Sequence, residues 1–490
     1  MKNNYIAVDL GAESGRVMLG TVSEDTLSLE ESHRFTNGPI DIDGSLHWDF
    51  PHILSEIKAG IKTAVQQAKG EISCLGVDSW GVDFGLLDED GQLLENPYHY
   101  RDSRTDGMLE MAFDRVGKRA IYDQTGIQFM QINTLYQLLA MCQSNDPVLE
   151  KAKTLLFTAD LYAYHLCGEP YAEYSLASTS QLMDMKTGTW AKDIFSKLQL
   201  PLAIMPPVVQ PGTLVGILTE EVAAELGCPQ IPVAAIGSHD TASAVAAVPA
   251  DSENTWAYLS CGTWSLLGVE IPEPIINDLT FEYQFTNEGG VDGTIRLLKN
   301  IMGLWLVQEC RRHWQAEGQE LSYAQLAEMA HKATAFVAYI DPAHDAFLSP
   351  GQMPDKINEY LDQTGQQKIE DQGTMVRSVL ESLALNYAWV LRQLETLTGN
   401  SIDCLHIVGG GIQNELLCQF TADATGKKVI TGPIEATASG NILMQAKAAG
   451  QLQSLEQIRH IVRTSFDVKE YLPQDVSVWQ QQSKKYKLIR

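Results

Sequence analysis

Basic residues are scarce in this sequence, and long apolar runs and cysteine pairs are scarcer still. Its 490 residues carry 35 Lys and Arg against 62 Asp and Glu, a net charge of −27. Nucleic acids and anionic membrane surfaces both require a basic face, so this balance argues against either as a partner. The eight cysteines, at 74, 142, 167, 228, 261, 310, 404 and 418, include no C-x-x-C pair. They offer neither zinc spacing nor a disulfide framework and read as reduced thiols. The opening MKNNYIAVDLG has too short an apolar run for a signal peptide, and Asp9 interrupts it. The most apolar stretch, 231–250, contains His239 and Asp240 and falls short of a spanning helix. A cytoplasmic location is expected. No G-x-x-x-x-G-K-[ST] occurs, since the stretch 424–429 has only its Gly-Lys, and the protein-kinase combination of Gly-rich loop, H-R-D and D-F-G is not there as a set. Any nucleotide is therefore held by other means.

The length predicts two domains. YIAVDLG, RVMLGTV and LSLEESHRF read as three strands joined by tight turns. Ile53, Leu54, Ile57, Ile61, Ala64 and Val65 follow at helical spacing, ended by Gly70. CLGVDSW and VDFGLLD then read as a strand pair, and 103–200 is mainly helical in pattern. A second start near 256, WAYLSCGTWSLLGVE, repeats the opening logic of strand, Gly-centred turn and strand. Two related halves are expected, a domain over 1–246 and another over 255–450, with a linker near 246–256. A long amphipathic helix is predicted over 373–399, and 451–490 is a basic, Gln-rich tail with no motif.

Five features have the residues to carry chemistry. In Asp9-Leu10-Gly11-Ala12-Glu13-Ser14-Gly15-Arg16, small residues let backbone amides approach phosphate oxygens, Ser14 and Arg16 add donors, and Asp9 can hold magnesium through water. An ordinary hairpin turn with a surface arginine fits the same residues. Ser260-Cys261-Gly262-Thr263-Trp264-Ser265 offers a second loop of that kind. His406-Ile407-Val408 runs into Gly409, Gly410 and Gly411, where a flat ligand can lie on bare backbone, before a helix that opens near Asn414 and stops at Gly426. In Ser238-His239-Asp240-Thr241, Asp240 falls at a helix start, where the dipole and capping donors favour the ionised form suited to a general base. A simple capping role is the alternative. Trp80-Gly81-Val82-Asp83 and Tyr100-Arg101-Asp102 set aromatics beside polar groups, as a sugar pocket does, although a core position accounts for the rings equally well.

Taken together these segments resemble the FGGY carbohydrate kinases, within the sugar kinase, Hsp70 and actin superfamily, and more narrowly the rhamnulokinase branch. The resemblance runs from Tyr5 to about 445, through AVDLGAESGRV, HRFTNG, GVDSWGVDFGLLD, YRDSRT, YDQTGIQF, NTLYQL, SHDTASAV, YLSCGTWSLLG, TNEGG, LKNIMGLWL, LHIVGGGIQN and GPIEATASGNI in order. It implies an α/β protein of two ribonuclease-H-like (actin-like ATPase) domains facing a central cleft, with sugar mainly on the first and ATP between them. It also implies Asp240 as catalytic base; His239, Thr241, Gly81 and Asp83 at the sugar; Ala12, Glu13, Ser14, Gly15, Arg16 and Thr263 near the phosphates; and Asp9 at the magnesium of Mg-ATP. Asn300, Gln308 and Gly410 would serve the nucleotide, although IMGLWLV between the first two reads as a buried helix face. Gln131-Ile132-Asn133-Thr134-Leu135-Tyr136 stands where many family members carry a Lys and Trp motif, which weakens a glycerol or xylulose kinase reading.

The activity so implied is phosphorylation of L-rhamnulose by ATP in L-rhamnose catabolism. Its rivals are a kinase for another ketose, such as fuculose or xylulose, and a non-catalytic sugar sensor. The partners expected are a small sugar and ATP. Monomer and dimer stay open.

Overall fold

The computed structural model describes residues 2–251 and 253–489. Two compact units emerge, neither contiguous in sequence. The first takes the chain up to Pro249 with Glu270–Leu297 and Glu435–Phe466; the second takes Ala250–Val269, Leu298–Ile434 and the chain from Asp467 onward. The insertion of 435–466 into the first unit has no signature in composition.

The first unit is built on a six-stranded sheet in the order Thr213–Ile217, Pro232–Ala235, Ile72–Ser79, Asn3–Leu10, Ser14–Val22, Leu27–Thr36. The strands 3–10, 72–79 and 232–235 are mutually parallel, and the remaining neighbours are antiparallel. Both faces of the central strand are covered: Tyr5, Ile6, Ala7, Val8 and Leu10 are all buried, which explains a continuous apolar run in place of alternation. On one side lies the helix Phe50–Gln67, started by Asp49, whose carboxylate accepts from the His52 amide, and turning Ile53, Ile57, Ile61 and Ala64 inward. The helix Ala436–Ala448 also packs on this sheet. It comes so close that a Cβ on Gly76 would lie 2.8 Å from Asn441 Oδ1, and one on Gly20 would overlap Ile442.

CLGVDSW and VDFGLLD do form strands, but not with each other. Ile72–Ser79 joins the main sheet, whereas Phe84–Leu87 pairs antiparallel with Thr154–Phe157 in a separate ribbon. Apolar patterning reports which faces of a strand are buried, not which strand lies beside it. A hairpin of Pro39–Ile42 and Ser45–Trp48 escaped the sequence reading, although its turn is Asp43-Gly44 with φ of 53° and 88°, a strong short-range hairpin signal.

The second unit repeats the opening of the first. Trp256–Cys261 and Trp264–Ile271 form an antiparallel hairpin whose first strand runs parallel to Cys404–Val408. That strand is followed by parallel Lys428–Thr431 and antiparallel Glu470–Tyr471. In both units, then, the first hairpin strand separates its partner from a parallel strand arriving much later in the chain. The long helix is Gln372–Thr398, capped by Asp371 and ended at Gly399. IMGLWLV is not one helix face: Ile301 and Met302 end a strand, Gly303 turns, and Trp305 opens the helix Trp305–Ala316. The stretch 451–490 carries the helices Leu455–Ser465 and Val476–Tyr486. Among the described residues, no helix is long and apolar enough to cross a membrane, and all eight cysteines are free thiols.

Candidate active site

Three parallel strands of the first unit end at the same edge of its sheet. Asp9 and Asp78 are register partners one residue before the ends of their strands, and the third strand, Pro232–Ala235, leads through Gly237 and Ser238 to Asp240. Carboxyl ends of parallel strands are where open α/β sheets bind ligands. The loop entering Asp240 continues the sheet, with the Ser79 amide donating to the Ser238 carbonyl at 2.9 Å.

Asp240 is the first residue of the short helix Asp240–Ala246, with His239 before it. Its Oδ1 accepts from the Thr241 amide at 2.5 Å and the Thr241 hydroxyl at 3.1 Å. The side chain keeps 32% of its surface exposed, enough for a substrate to reach it. The helix start is not the only influence on this carboxyl. Desolvation raises its pKa, the charge of Asp9 adds to the rise, and His239 with the two Thr241 bonds only partly opposes it. A carboxylate lifted in this way is the stronger base.

The loop around His239 is held from beneath by residues that the sequence reading did not single out. Glu173 is fully buried; its Oε2 accepts from the amides of Ser238 at 3.1 Å and Leu176 at 2.9 Å and from the Ser175 hydroxyl at 2.6 Å. The Ser175 hydroxyl oxygen in turn accepts from the His239 amide at 3.2 Å. Burial pushes the Glu173 carboxyl up to about 7 against the pull of these hydrogen bonds. From the side, Arg296 Nη2 donates to His239 Nδ1 at 3.0 Å, and Glu288 Oε2 lies 3.2 Å from each of those nitrogens. Glu288 stands in the TNEGG segment, which was legible as a motif but suggested no role.

Asp9 is bound by Arg16, whose Nη2 and Nε lie 2.7 and 2.8 Å from Asp9 Oδ2, while its Nη1 lies 2.5 Å from Glu435. Burial disfavours the Arg16 charge, but Asp9 and Glu435 together outweigh it and raise its pKa. Arg16 is thus paired with two carboxylates. The Gly11 amide closes the loop onto the Ser14 carbonyl at 3.0 Å, and Ser14, Gly15 and Arg16 already belong to the second strand. Beside them Asp78 is wholly buried; Asn441 donates to its Oδ2 at 2.5 Å, and its Oδ1 has no hydrogen-bond partner. Burial and the charge of Asp9 hold its pKa well above the ordinary value.

No cluster of three or more His, Cys, Asp or Glu among the described residues is arranged to cage a metal ion. Magnesium does not need one, because it keeps much of its water and uses one or two carboxylates plus phosphate oxygens. Asp9, at its strand end with Oδ2 held by Arg16, fits that mode, whereas Asp78 is wholly buried.

Of the sugar candidates, Gly81 is packed so tightly that a Cβ would meet the Thr179 hydroxyl at 2.8 Å, and Val82 beyond it has φ 71°, a costly conformation for a β-branched residue. Asp83 serves the core. Its Oδ2 accepts from the indoles of Trp48 at 2.7 Å and Trp80 at 3.0 Å and from the Tyr100 amide at 3.2 Å, and its Oδ1 accepts from Gln137 at 2.9 Å. Burial lifts it to about 6. Asp102 likewise accepts from the Leu46 and Arg104 amides.

In the second unit, the Thr263 carbonyl accepts from the amides of Gly303 and Trp305 at 3.1 and 3.2 Å, tying its loop to the start of the helix that carries Gln308. The Gln308 Oε1 is buried with no hydrogen-bond partner. The three glycines divide the labour. Gly409, at φ 87°, and Gly411 allow close approach to Cys261, whereas Gly410 opens onto free space and is exposed. Asn300 lies half-buried on the strand Ile295–Met302.

Residues 4–247 match the model of the FGGY family of carbohydrate kinases, N-terminal domain, and residues 257–449 match that of its C-terminal domain. A rhamnulokinase of Bacteroides thetaiotaomicron is 44% identical over 479 residues, 98% of each chain. One from Bacillus subtilis is 40% identical over 472 residues, 96% of each. Among solved structures, a xylulose kinase from Lactobacillus acidophilus superposes with a TM-score of 0.83 at 18% identity, covering 100% of this chain and 98% of that one. A Plasmodium falciparum glycerol kinase with ADP gives 0.78 at 17% identity, covering 99% and 97%. The paired hairpin-led units, the carboxylates at the strand ends and these full-length matches lead to one conclusion: the chain belongs to the FGGY family of carbohydrate kinases, with their two-domain, actin-like ATPase fold.

Proposed function

We propose that this chain transfers the γ-phosphoryl group of ATP to O1 of L-rhamnulose, giving ADP and L-rhamnulose 1-phosphate. The observation that carries this reading is identity of 40 to 44% along nearly the whole chain with relatives named rhamnulokinase. In this role Asp240 accepts the O1 proton. Because its Oδ1 is committed to Thr241, the proton goes to Oδ2. His239, Thr241 and the backbone at Gly81 contact the sugar, while the packing of Asp83 suits it to shaping the pocket wall through Trp48 and Trp80. Ala12 to Gly15 and Thr263 approach the phosphates through backbone and hydroxyl donors, with Asn300, Gln308 and Gly410 serving the rest of the nucleotide. Arg16 acts by fixing Asp9. Magnesium bound with ATP, near Asp9, supplies charge neutralisation at the transferring group.

A coupled ADP-release assay with magnesium-ATP and a panel of ketoses and parent aldoses tests the reading. Turnover fastest on L-rhamnulose is expected. Faster turnover on fuculose, xylulose or another ketose would retire the substrate but keep the base. Sugar binding without any turnover would favour the sensor.

A further inference from the structure

The proposed site depends on which nitrogen of His239 carries the proton, and two buried charged side chains, Arg296 and Glu288, face its Nδ1. Arg296 is a fully buried arginine, at 0% exposure, on the strand Ile295–Met302. Its Nε donates to the Gly289 carbonyl at 2.9 Å and its Nη2 to His239 Nδ1 at 3.0 Å. A guanidinium has donors only, so a bond to Arg296 makes Nδ1 an acceptor, whereas a bond to Glu288 Oε2, 3.2 Å from the same nitrogen, would need Nδ1–H; the Arg296 contact is the shorter of the two. Glu288 Oε2, 3.2 Å from Arg296 Nη2, balances the buried charge. The strand Thr286–Gly289 is itself pinned, because the Gly289 amide donates to the Ser178 hydroxyl at 2.8 Å and a Cβ on Gly289 would meet the Tyr174 ring at 2.6 Å.

We propose that Arg296 and Glu288 are positioning residues that hold His239 as the neutral Nε2–H tautomer beside the base. Nε2 lies 3.4 Å from Asp240 Oδ1. The Nε2–H then presents a donor, and Asp240 an acceptor, side by side. A hydroxyl placed there is oriented by giving its proton to Asp240 while its neighbour on the sugar accepts from His239. The inference rests on the reading of Asp240 as base, but the tautomer is independent of which sugar is phosphorylated. A buried arginine is costly to retain for stability alone, and setting a donor's direction is a use that accounts for its position.

The test is long-range ¹H–¹⁵N correlation on the full-length protein labelled with ¹⁵N-histidine, without substrate, with the His239 signals assigned by their loss in His239→Gln. The Nε2–H pattern is expected. A Nδ1–H or imidazolium pattern at pH 8 would overturn the proposal, whatever sugar the enzyme accepts. In Arg296→Met the pattern should change and KM for the sugar rise about tenfold or more, with KM for ATP within twofold and partial recovery in Arg296→Lys. An unchanged tautomer in a folded Arg296→Met would also overturn it. Should that variant fail to fold, the wild-type spectrum still decides.

Discussion

Gly440 faces the carbonyl of Ser243 so closely that any Cβ at position 440 would overlap the carbonyl oxygen. The two residues belong to the helices Ala436–Ala448 and Asp240–Ala246, and the second of these begins at the proposed base. A backbone oxygen cannot rotate aside as a side chain can, so one helix must move. Gly440→Ala is therefore expected to lower stability by about 1–3 kcal/mol and kcat by roughly tenfold or more, while the distant Gly399→Ala leaves kcat unchanged. Thermal denaturation and steady-state kinetics on the two variants check this.

Asp83 separates a structural from a ligand role. It accepts from two indoles, one amide and one carboxamide inside the core. Asp83→Ala leaves these donors without an acceptor and is expected to cost roughly 3–5 kcal/mol. Asp83→Asn keeps one acceptor oxygen and should cost less, about 1–2 kcal/mol. Urea midpoints followed by tryptophan fluorescence measure both. If Asp83→Asn keeps full stability and loses only sugar affinity, the carboxylate is a ligand after all.

Much of this architecture was legible in the sequence because the signals are local. The first three strands, the helix after them, the hairpin at 256, the helix at 372–398 and the Asn414 helix start all follow from periodicity and caps within a few residues. The place of Asp240 at a helix start after an apolar strand was legible for the same reason. Glu173, Glu288, Arg296 and Asn441 were not, because each acts on residues 65, 49, 57 and 363 positions away. The donors to Asp83 escaped for a related reason, since Trp48 and Gln137 lie 35 and 54 positions away. The rise in the Asp240 pKa was missed because charge at a helix start is a local property, whereas desolvation is a property of the whole fold.

Glu173 gives the fold a specific pH dependence. Its carboxyl is lifted from the ordinary 4.5 to about 7 by burial. Below pH 4.5 it is protonated folded or unfolded. Between 4.5 and 7 the unfolded chain releases the proton first, so stability falls as pH rises, by about 3 kcal/mol in total, and the loss is complete above 7. Glu173→Gln stays neutral and should lack this fall, while losing about 1–3 kcal/mol throughout because one amide oxygen replaces two carboxylate oxygens as acceptor. Guanidinium midpoints from pH 5 to 8 for the two proteins test it, and parallel profiles would assign the pH dependence elsewhere.

The base itself is tested by rate and by pH together. Asp240→Asn removes the proton acceptor and should lower kcat by about 10²–10⁴-fold, with ATP affinity nearly kept; near-normal turnover would sink the assignment. Burial raises the Asp240 carboxyl above its ordinary value, while the Thr241 hydroxyl, 3.1 Å from Oδ1, lowers it. The base works ionised, so kcat should fall as pH drops through this raised value. Thr241→Val removes one of the stabilising hydrogen bonds, leaves the anion less favoured and should move the acid limb of kcat to higher pH. The shift must appear in kcat, since loss of a sugar contact at Thr241 would change KM alone. An acid limb unmoved in Thr241→Val, or unmoved in the residual activity of Asp240→Asn, would mean that another group accepts the proton.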